Sequence, residues 1–449
     1  MKRLIAAVTI TMLVLAQPAQ AQSLLRDAET EALLHDMSAP LVTAAGLRPT
    51  DVSFALVNDD SINAFVAGGQ TVYVHTGLIQ AADSANQVQG VIAHELGHIA
   101  DGHVITSSQG QKPAMGIYLL SMVLGLAAMA AGGGEAGAGI LAAGQQAAMG
   151  KFLAFNRVQE ATADASAVRY LDTAGITGKG MLEFFKKLQQ QEYRFGTKNI
   201  DPFMQSHPMS GTRVQTLTVD VQASKSWSKP ADAQLQERFC RVKAKLDGYL
   251  MPPPQALQKY PDSDQSLYAH YARAYAYHRA GYPDKADAEA EALVAKAPAD
   301  PYFQEIMGQI LLEAGKPRLA LAPLKRATEG SRSNPLIATT YGHALIATED
   351  VANYDEAKRV LRTAVARDDE NPFAWFQLGT VYELTGDEAR AALASAERAS
   401  MMGDDRTAVD RARYAMAGIP KNTPDWIRAQ DIAMTAQNAV DKNGKKKRR

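Results

Sequence analysis

The stretch His94-Glu95-Leu96-Gly97-His98 holds the most chemistry in this 449-residue chain. Two histidines four positions apart share one face of a helix, so their imidazoles can converge on a single cation. Glu95 projects about 100° around from His94, beside such a cation rather than on it. From there a carboxylate can take a proton from metal-bound water. Further along, Asn156-Arg157-Val158-Gln159-Glu160 offers a third ligand in Glu160, with Asp164 one turn later. Glu160 can complete a His₂Glu set that leaves a fourth position for water or substrate, as a catalytic zinc requires. Asp164 can accept a hydrogen bond from the outer nitrogen of a liganding histidine and fix its orientation. One zinc per chain suits this set, although affinity alone does not forbid cobalt or nickel.

These residues need two helices to carry them. Ser84 or Asn86 can cap the first, which runs to about His103, and the second covers roughly Leu153 to Leu171. A third histidine in the metzincin arrangement would fall at position 104, which is Val104. His103 is one residue out of that register and reads as a surface residue beyond the helix end. Upstream, Leu24 to Ala45 has helical periodicity. Alternating apolar residues in Val52–Val57, Ile62–Val66 and Thr71–His75 flank Gly68-Gly69 and predict a hairpin. Short helices continue to about Val221.

Between the two site helices, residues 113–131 carry no charge, and residues 132–150 are rich in Gly and Ala with Glu135 as their one charge. Length and composition permit a transmembrane span. A single crossing would put His98 and Glu160 on opposite sides of the membrane, so the segment is read as an apolar flap or a helical hairpin. Such a hairpin could cover the cleft or associate with a membrane surface.

Residues 226–262 are richer in Ser, Lys and Pro and read as a linker enclosing a helix near Gln234–Leu246. The chain then repeats. Gly281 and Gly315 stand 34 residues apart, each followed five residues later by an alanine, Ala286 or Ala320. Pro298, Pro335 and Pro372 recur every 37 residues, and Trp375, Leu378, Gly379 and Tyr382 keep the spacing of a tetratricopeptide repeat (TPR). About four such helix pairs fit within residues 263–400, leaving residues 401–449 for a C-terminal helix and a basic tail. Stacked pairs of this kind form a concave surface for peptide or protein partners.

At the N-terminus, Lys2 and Arg3 precede an apolar run, and Ala19-Gln20-Ala21 supplies small residues for signal peptidase. Residues 1–21 are therefore expected to be a cleavable signal peptide, with the mature chain beginning near Gln22 in the periplasm. A formal net charge of −1 gives no footprint for nucleic acid. With Cys240 as the one cysteine, an intrachain disulfide and a thiolate zinc site are excluded.

Four separated features resemble one family: His94–His98, Glu160 with Asp164, Asn63-Ala64-Phe65 ahead of Gly68-Gly69, and His207-Pro208 with Arg213. Together they look like the class of zinc peptidases that includes HtpX, BepA and the CAAX prenyl proteases, and the resemblance covers about residues 25–220. With the signal peptide and the repeats added, the periplasmic BepA-like subgroup is the nearest in organisation. The fold class this implies is mainly α: a gluzincin-like metallopeptidase domain over residues 22–225, helices plus a small sheet, followed by a TPR α-solenoid. The resemblance also implies outer-membrane proteins stalled in assembly as substrates, and their assembly machinery as partners. It gives His207 and Arg213 a place near zinc, where they could stabilise an oxyanion. In the subgroup, this histidine can also occupy the open zinc position and hold the enzyme shut. Asn63, Ala64 and Phe65 would form an edge that receives extended substrate, although an ordinary hairpin explains them equally well from sequence. Ala67 departs from the proline common in the family at that turn. Three functions stay open: an endopeptidase, a chaperone or scaffold acting through the repeats with a latent protease, and an integral membrane protease.

Overall fold

A computed structural model describes residues 24–130, 133–195 and 202–446. The expected signal peptide lies outside the described residues, as do the last three residues of the basic tail. Contacts divide the chain into two units. One holds residues 24–26 and 33–236, the other residues 27–32 and those from 237 onward.

The first unit carries a four-stranded sheet: β1 (Leu24–Leu25), β2 (Ser53–Val57), β3 (Ala64–Ala67) and β4 (Thr71–His75), in the order β1-β2-β4-β3. β3 and β4 are the antiparallel hairpin, and Gly68 and Gly69 turn it at φ of +63° and +106°, a region that side-chain-bearing residues avoid. β2 pairs with β4 in parallel, so β3 is left as an edge strand. Inward residues Leu56, Val72 and Val74 are buried.

Helix α1 is Ala28–Ala44, and α2 (Thr76–Ala81) leads from β4 to α3 (Ala85–Ala100), the helix bearing the HExxH motif. Ser84 caps α3 by accepting from the Gln87 amide, satisfying an amide that has no partner inside the helix. The chain breaks at Gly102 (φ +70°) and restarts as α4 (His103–Ala130), so the first site helix ends three residues before the expected position. The second site helix is far longer than its periodicity suggested. It begins at Gly134 and runs 41 residues to Ala174 as α5. No proline interrupts it, and two of its glycines are used for packing: a Cβ at Gly144 would run into the Ser121 side chain, and one at Gly137 would crowd Met129. α4 and α5 therefore pack as a helical hairpin over the apolar segment, one of the two forms expected for it. α6 (Lys179–Phe195), α7 (Pro202–Ser206) and α8 (Gly211–Ala223) complete the unit.

The second unit begins with α9 (Ala233–Leu250, its first residues lying in the first unit) and α10 (Pro253–Lys259), both inside the stretch read as a linker. Helix pairs follow: α11 (Leu267–Arg279) with α12 (Pro283–Lys296), α13 (Pro301–Glu313) with α14 (Pro317–Gly330), and α15 (Pro335–Ala347) with α16 (Tyr354–Arg367). α17 (Pro372–Leu384) then packs on α18 (Glu388–Met401), and α19 (Asp405–Gly418) on α20 (Pro424–Lys446). Proline at the first helical position presets φ where no amide partner is needed, and Gly281, Gly315 and Gly386 close turns at φ of +74° to +76°. Ala286 and Ala320 are fully buried at the crossings. The pairing runs past Ser400: α18, α19 and α20 share a core of Ala396, Ala408, Ala412 and Ala429, so residues 401–446 form a further pair, not one helix.

Candidate metal centre

The close crossing of α3 and α5 builds the site. Gly97 sits on the contact, and a Cβ there would stand 2.9 Å from the Ala163 carbonyl oxygen. Glycine at that motif position lets α5 approach until Glu160 faces both histidines. On the other side, Asn86 locks α3 to the start of α6. Its amide donates to the Thr177 carbonyl and its side-chain oxygen accepts from the Gly180 amide.

His94, His98, Glu160 and His207 then present ligand atoms that all lie within 4.8 Å of one another. His98 Nε2 is 3.1 Å from His94 Nε2, and His207 Nδ1 is 3.2 Å from His94 Nε2. Glu160 Oε2 is 3.3 Å from His94 Nε2 and 2.9 Å from His207 Nδ1, and Oε1 is 3.5 Å from His98 Nε2. Tetrahedral ligands about 2.0–2.1 Å from a zinc ion stand roughly 3.3–3.4 Å apart. The donor set therefore fits such an ion in size as well as chemistry. His94 is fully buried, and Glu160 and His207 are 7% exposed.

Charge around the cluster is arranged in favour of a cation. Burial raises the Glu160 carboxyl, but hydrogen bonds from His207 and His94 outweigh it and hold the group below the usual carboxylate range. Burial lowers His98, and the neighbouring His94 and His207 lower it further, so its lone pair is free to ligate. Burial also opposes charge on His94, yet Asp164 and Glu160 lift it to about 9. Asp164 Oδ1 lies 2.9 Å from the outer nitrogen of His94.

Glu95 is 1% exposed, does not join the donor cluster, and its Oε1 has no hydrogen-bond partner among the described residues. His207 Nε2 stands 3.6 Å from Glu95 Oε1. Burial raises the Glu95 carboxyl, partly offset by His207 and His94. Such a group is placed to hold a proton.

Arg213 is held more tightly than its loop position suggested. Ser210 caps α8 by accepting from the Arg213 amide, and the guanidinium forks onto Asp164 through Nε (2.6 Å) and Nη2 (2.8 Å). Nη1 reaches Glu160 Oε2 at 2.9 Å and donates to the His207 carbonyl. It stacks over Phe185 as well. In this arrangement Arg213 ties together both carboxylates and the His207 loop, so its donors point at protein groups rather than at an open cleft.

His103 is not a free surface residue. The break at Gly102 folds it back so that its Nδ1 lies 2.9 Å from His98 Nδ1, while its Nε2 meets the Thr162 hydroxyl of α5 at 3.1 Å. Both metal-facing histidines of the motif thus have their outer nitrogens engaged, His94 by Asp164 and His98 by His103.

Asn63, Ala64 and Phe65 lie at the start of the edge strand, which packs against α3. Phe65 stacks on Tyr73 at 5.0 Å, and the side-chain oxygen of Asn63 is buried without a partner among the described residues.

Residues 28–220 match peptidase family M48. The chain is 25% identical to the beta-barrel assembly-enhancing protease of Escherichia coli (strain K12) over 400 residues, 86% of this chain and 75% of that protein. It is also 25% identical to the Yersinia pestis protein of the same name over 316 residues, 68% of this chain and 63% of that one, so less than two thirds of the latter is spanned. Among solved structures, YrrB, a TPR protein with an unusual peptide-binding site, aligns to 39% of this chain and 91% of its own at 20% identity, with a TM-score of 0.33. The match to peptidase family M48 over residues 28–220, together with the protease relatives, supports a metalloendopeptidase in that part of the chain.

Proposed function

We propose that this protein is a zinc-dependent endopeptidase of the periplasm that degrades misfolded or stalled outer-membrane proteins and assists their assembly. The observation that carries the reading is the convergence of His94, His98 and Glu160 beside a buried Glu95 with a free carboxylate oxygen. Zinc held by those three ligands would supply Lewis-acid polarisation of a peptide carbonyl and of water. Glu95 takes the proton of the attacking water and returns it to the leaving amine; burial, which raises its carboxyl, suits both halves of that task. Asp164 keeps His94 in the tautomer that turns Nε2 to the metal. The β3 edge, with Asn63, Ala64 and Phe65, receives substrate as an added strand, which presents backbone rather than a particular side chain. His207 and, once its present partners yield, Arg213 stabilise the oxyanion.

The outer-membrane setting rests on the leader-like residues 1–21 and on the likeness to beta-barrel assembly-enhancing proteases. The repeat array is the surface offered to substrate and to the assembly machinery.

A second reading, a chaperone or scaffold with a latent protease, is favoured by one observation: His207 Nδ1 stands in the fourth ligand position. In that state the site is shut, and opening requires the His207 loop to move. Cleavage of an unfolded outer-membrane β-barrel protein by the full chain, Glu95→Gln and His207→Ala tests both readings. Glu95→Gln should lose about 10²–10⁴-fold in rate, and His207→Ala should change the rate while zinc stays at one per chain. Equal rates for wild type and Glu95→Gln would sink the enzyme reading; loss of zinc in His207→Ala would make His207 a structural ligand.

A further inference from the structure

The α4–α5 hairpin has an exterior that no soluble surface explains. Leu119, Leu120, Val123, Leu124 and Leu126 on α4 and Met149 on α5 are each 51 to 65% exposed. Gly125, Gly137, Gly144 and Ser121 are spent on the contact between the two helices, at Gly125 with Leu141 and at Ser121 with Gly144, while the large side chains named are exposed. A helix apolar on every face is either buried or in lipid. Among the described residues, Lys112–Ala130 is a stretch of helix long and apolar enough to cross a membrane.

Charge gives the occupant. Residues 113–150 carry one charge, Glu135, at the turn of the hairpin. Pairing of Ser121 with Gly144 places Lys112 and Lys151 at the same level at the opposite end, both exposed, with exposed Arg157 less than two turns further along α5. A cationic collar at the base of an apolar hairpin matches the anionic headgroups around a hydrocarbon layer. Its length agrees: the 19 residues Lys112–Ala130 span about 28 Å of helix, against roughly 30 Å of bilayer core. The exposed polar side chains between the collar and Glu135 are Tyr118, Gln145 and Gln146, all uncharged.

We propose that the α4–α5 hairpin inserts into a lipid bilayer, with Lys112, Lys151 and Arg157 at the anionic headgroups. Because the two helices run antiparallel, the chain leaves the membrane on the side it entered, and His98 and Glu160 stay together. Glu160 lies nine residues past Lys151 on the same helix, about 14 Å along its axis. The peptidase site is thereby held just above the membrane surface, within reach of a polypeptide emerging from it. The insertion does not depend on the proteolytic reading, since it is read without any activity.

The test uses the full chain with Val123→Cys in a Cys240→Ser background, labelled with an environment-sensitive bimane. Vesicles of phosphatidylcholine containing one-third phosphatidylglycerol should shift its emission to the blue, and lipid-borne quenchers should quench it. An emission unchanged by vesicles overturns the proposal, as does a blue shift that tracks protein concentration without lipid, which would mean that a second copy covers this face. Lys112→Gln/Lys151→Gln/Arg157→Gln should weaken binding to the anionic vesicles at least tenfold, whereas equal binding would remove the collar from the account. Leu120→Glu/Val123→Glu/Leu124→Glu, at exposed positions that the fold does not need, should reduce flotation with vesicles. Retained wild-type flotation together with an unshifted dye would place the lipid contact elsewhere in the chain.

Discussion

Two buried polar clusters, one in each unit, differ in a way that separates a site from a staple. In the repeat unit, Arg241 pairs with Glu29 and Asp300, Lys245 sits 2.5 Å from Asp27, and the Tyr271 hydroxyl donates to Glu29. Positive groups meet negative ones, so each of these carboxylates has a protein cation beside it. In the peptidase unit, three imidazole nitrogens and a carboxylate converge within 4.8 Å of one another. That is a donor set which a single cation can complete in place of the ring protons. Burial is similar in the two clusters. The sign and direction of the donors decide which one does chemistry.

The comparison breaks most readily at the staple. Arg241→Met removes the guanidinium shared by Glu29 and Asp300, leaving Glu29 with Lys245 at 3.5 Å and the Tyr271 hydroxyl, and breaking a pair of this kind costs up to about 3–5 kcal/mol. Thermal unfolding should show the repeat transition falling while metal content is unchanged; a parallel loss of metal would mean that the clusters are coupled. A smaller effect is expected from Asp164→Asn, which removes the acceptor on His94 Nδ1 and one anchor of Arg213. Metal affinity should drop about 10–100-fold in a competition titration with a chelator, with the repeat transition unmoved.

Smallest is a pH effect at Glu305, whose Oε2 is shut off from solvent without a partner among the described residues. Burial pushes its carboxyl up to about 8, Lys245 opposing. A carboxyl whose folded pKa lies above its unfolded one is protonated longer in the folded state, so its contribution to stability declines as pH rises from about 4.5 to about 8. Glu305→Gln removes that decline. The variant should match wild type near pH 5 and melt at a higher temperature than wild type at pH 9. Equal melting at both values would show that Glu305 is not the buried acid described.

What the sequence disclosed follows from how local each signal is. HExxH declares two donors because helix geometry alone puts positions 94 and 98 on one face. The repeat pairs were legible because Pro and Gly mark their ends, and α19–α20 were missed because residues 401–446 lack the Trp-Leu-Gly-Tyr spacing while keeping the alanine core. The start of α5 was lost for a different reason. Its Gly-rich first half has weak intrinsic helix preference and is helical through packing on α4. His103 escaped because its position depends on one turn at Gly102, and the fork of Arg213 onto Asp164 joins residues 49 apart that no local pattern links.

The most direct test of the His94/His98/Glu160 site is the metal content of the purified full chain, measured by elemental analysis for wild type, Glu95→Gln and Glu160→Gln. One zinc per chain in wild type and in Glu95→Gln, with a marked loss in Glu160→Gln, is the result expected of a His94/His98/Glu160 site served by a separate base. Wild-type protein without zinc even after refolding in its presence, or full zinc in Glu160→Gln, would contradict it.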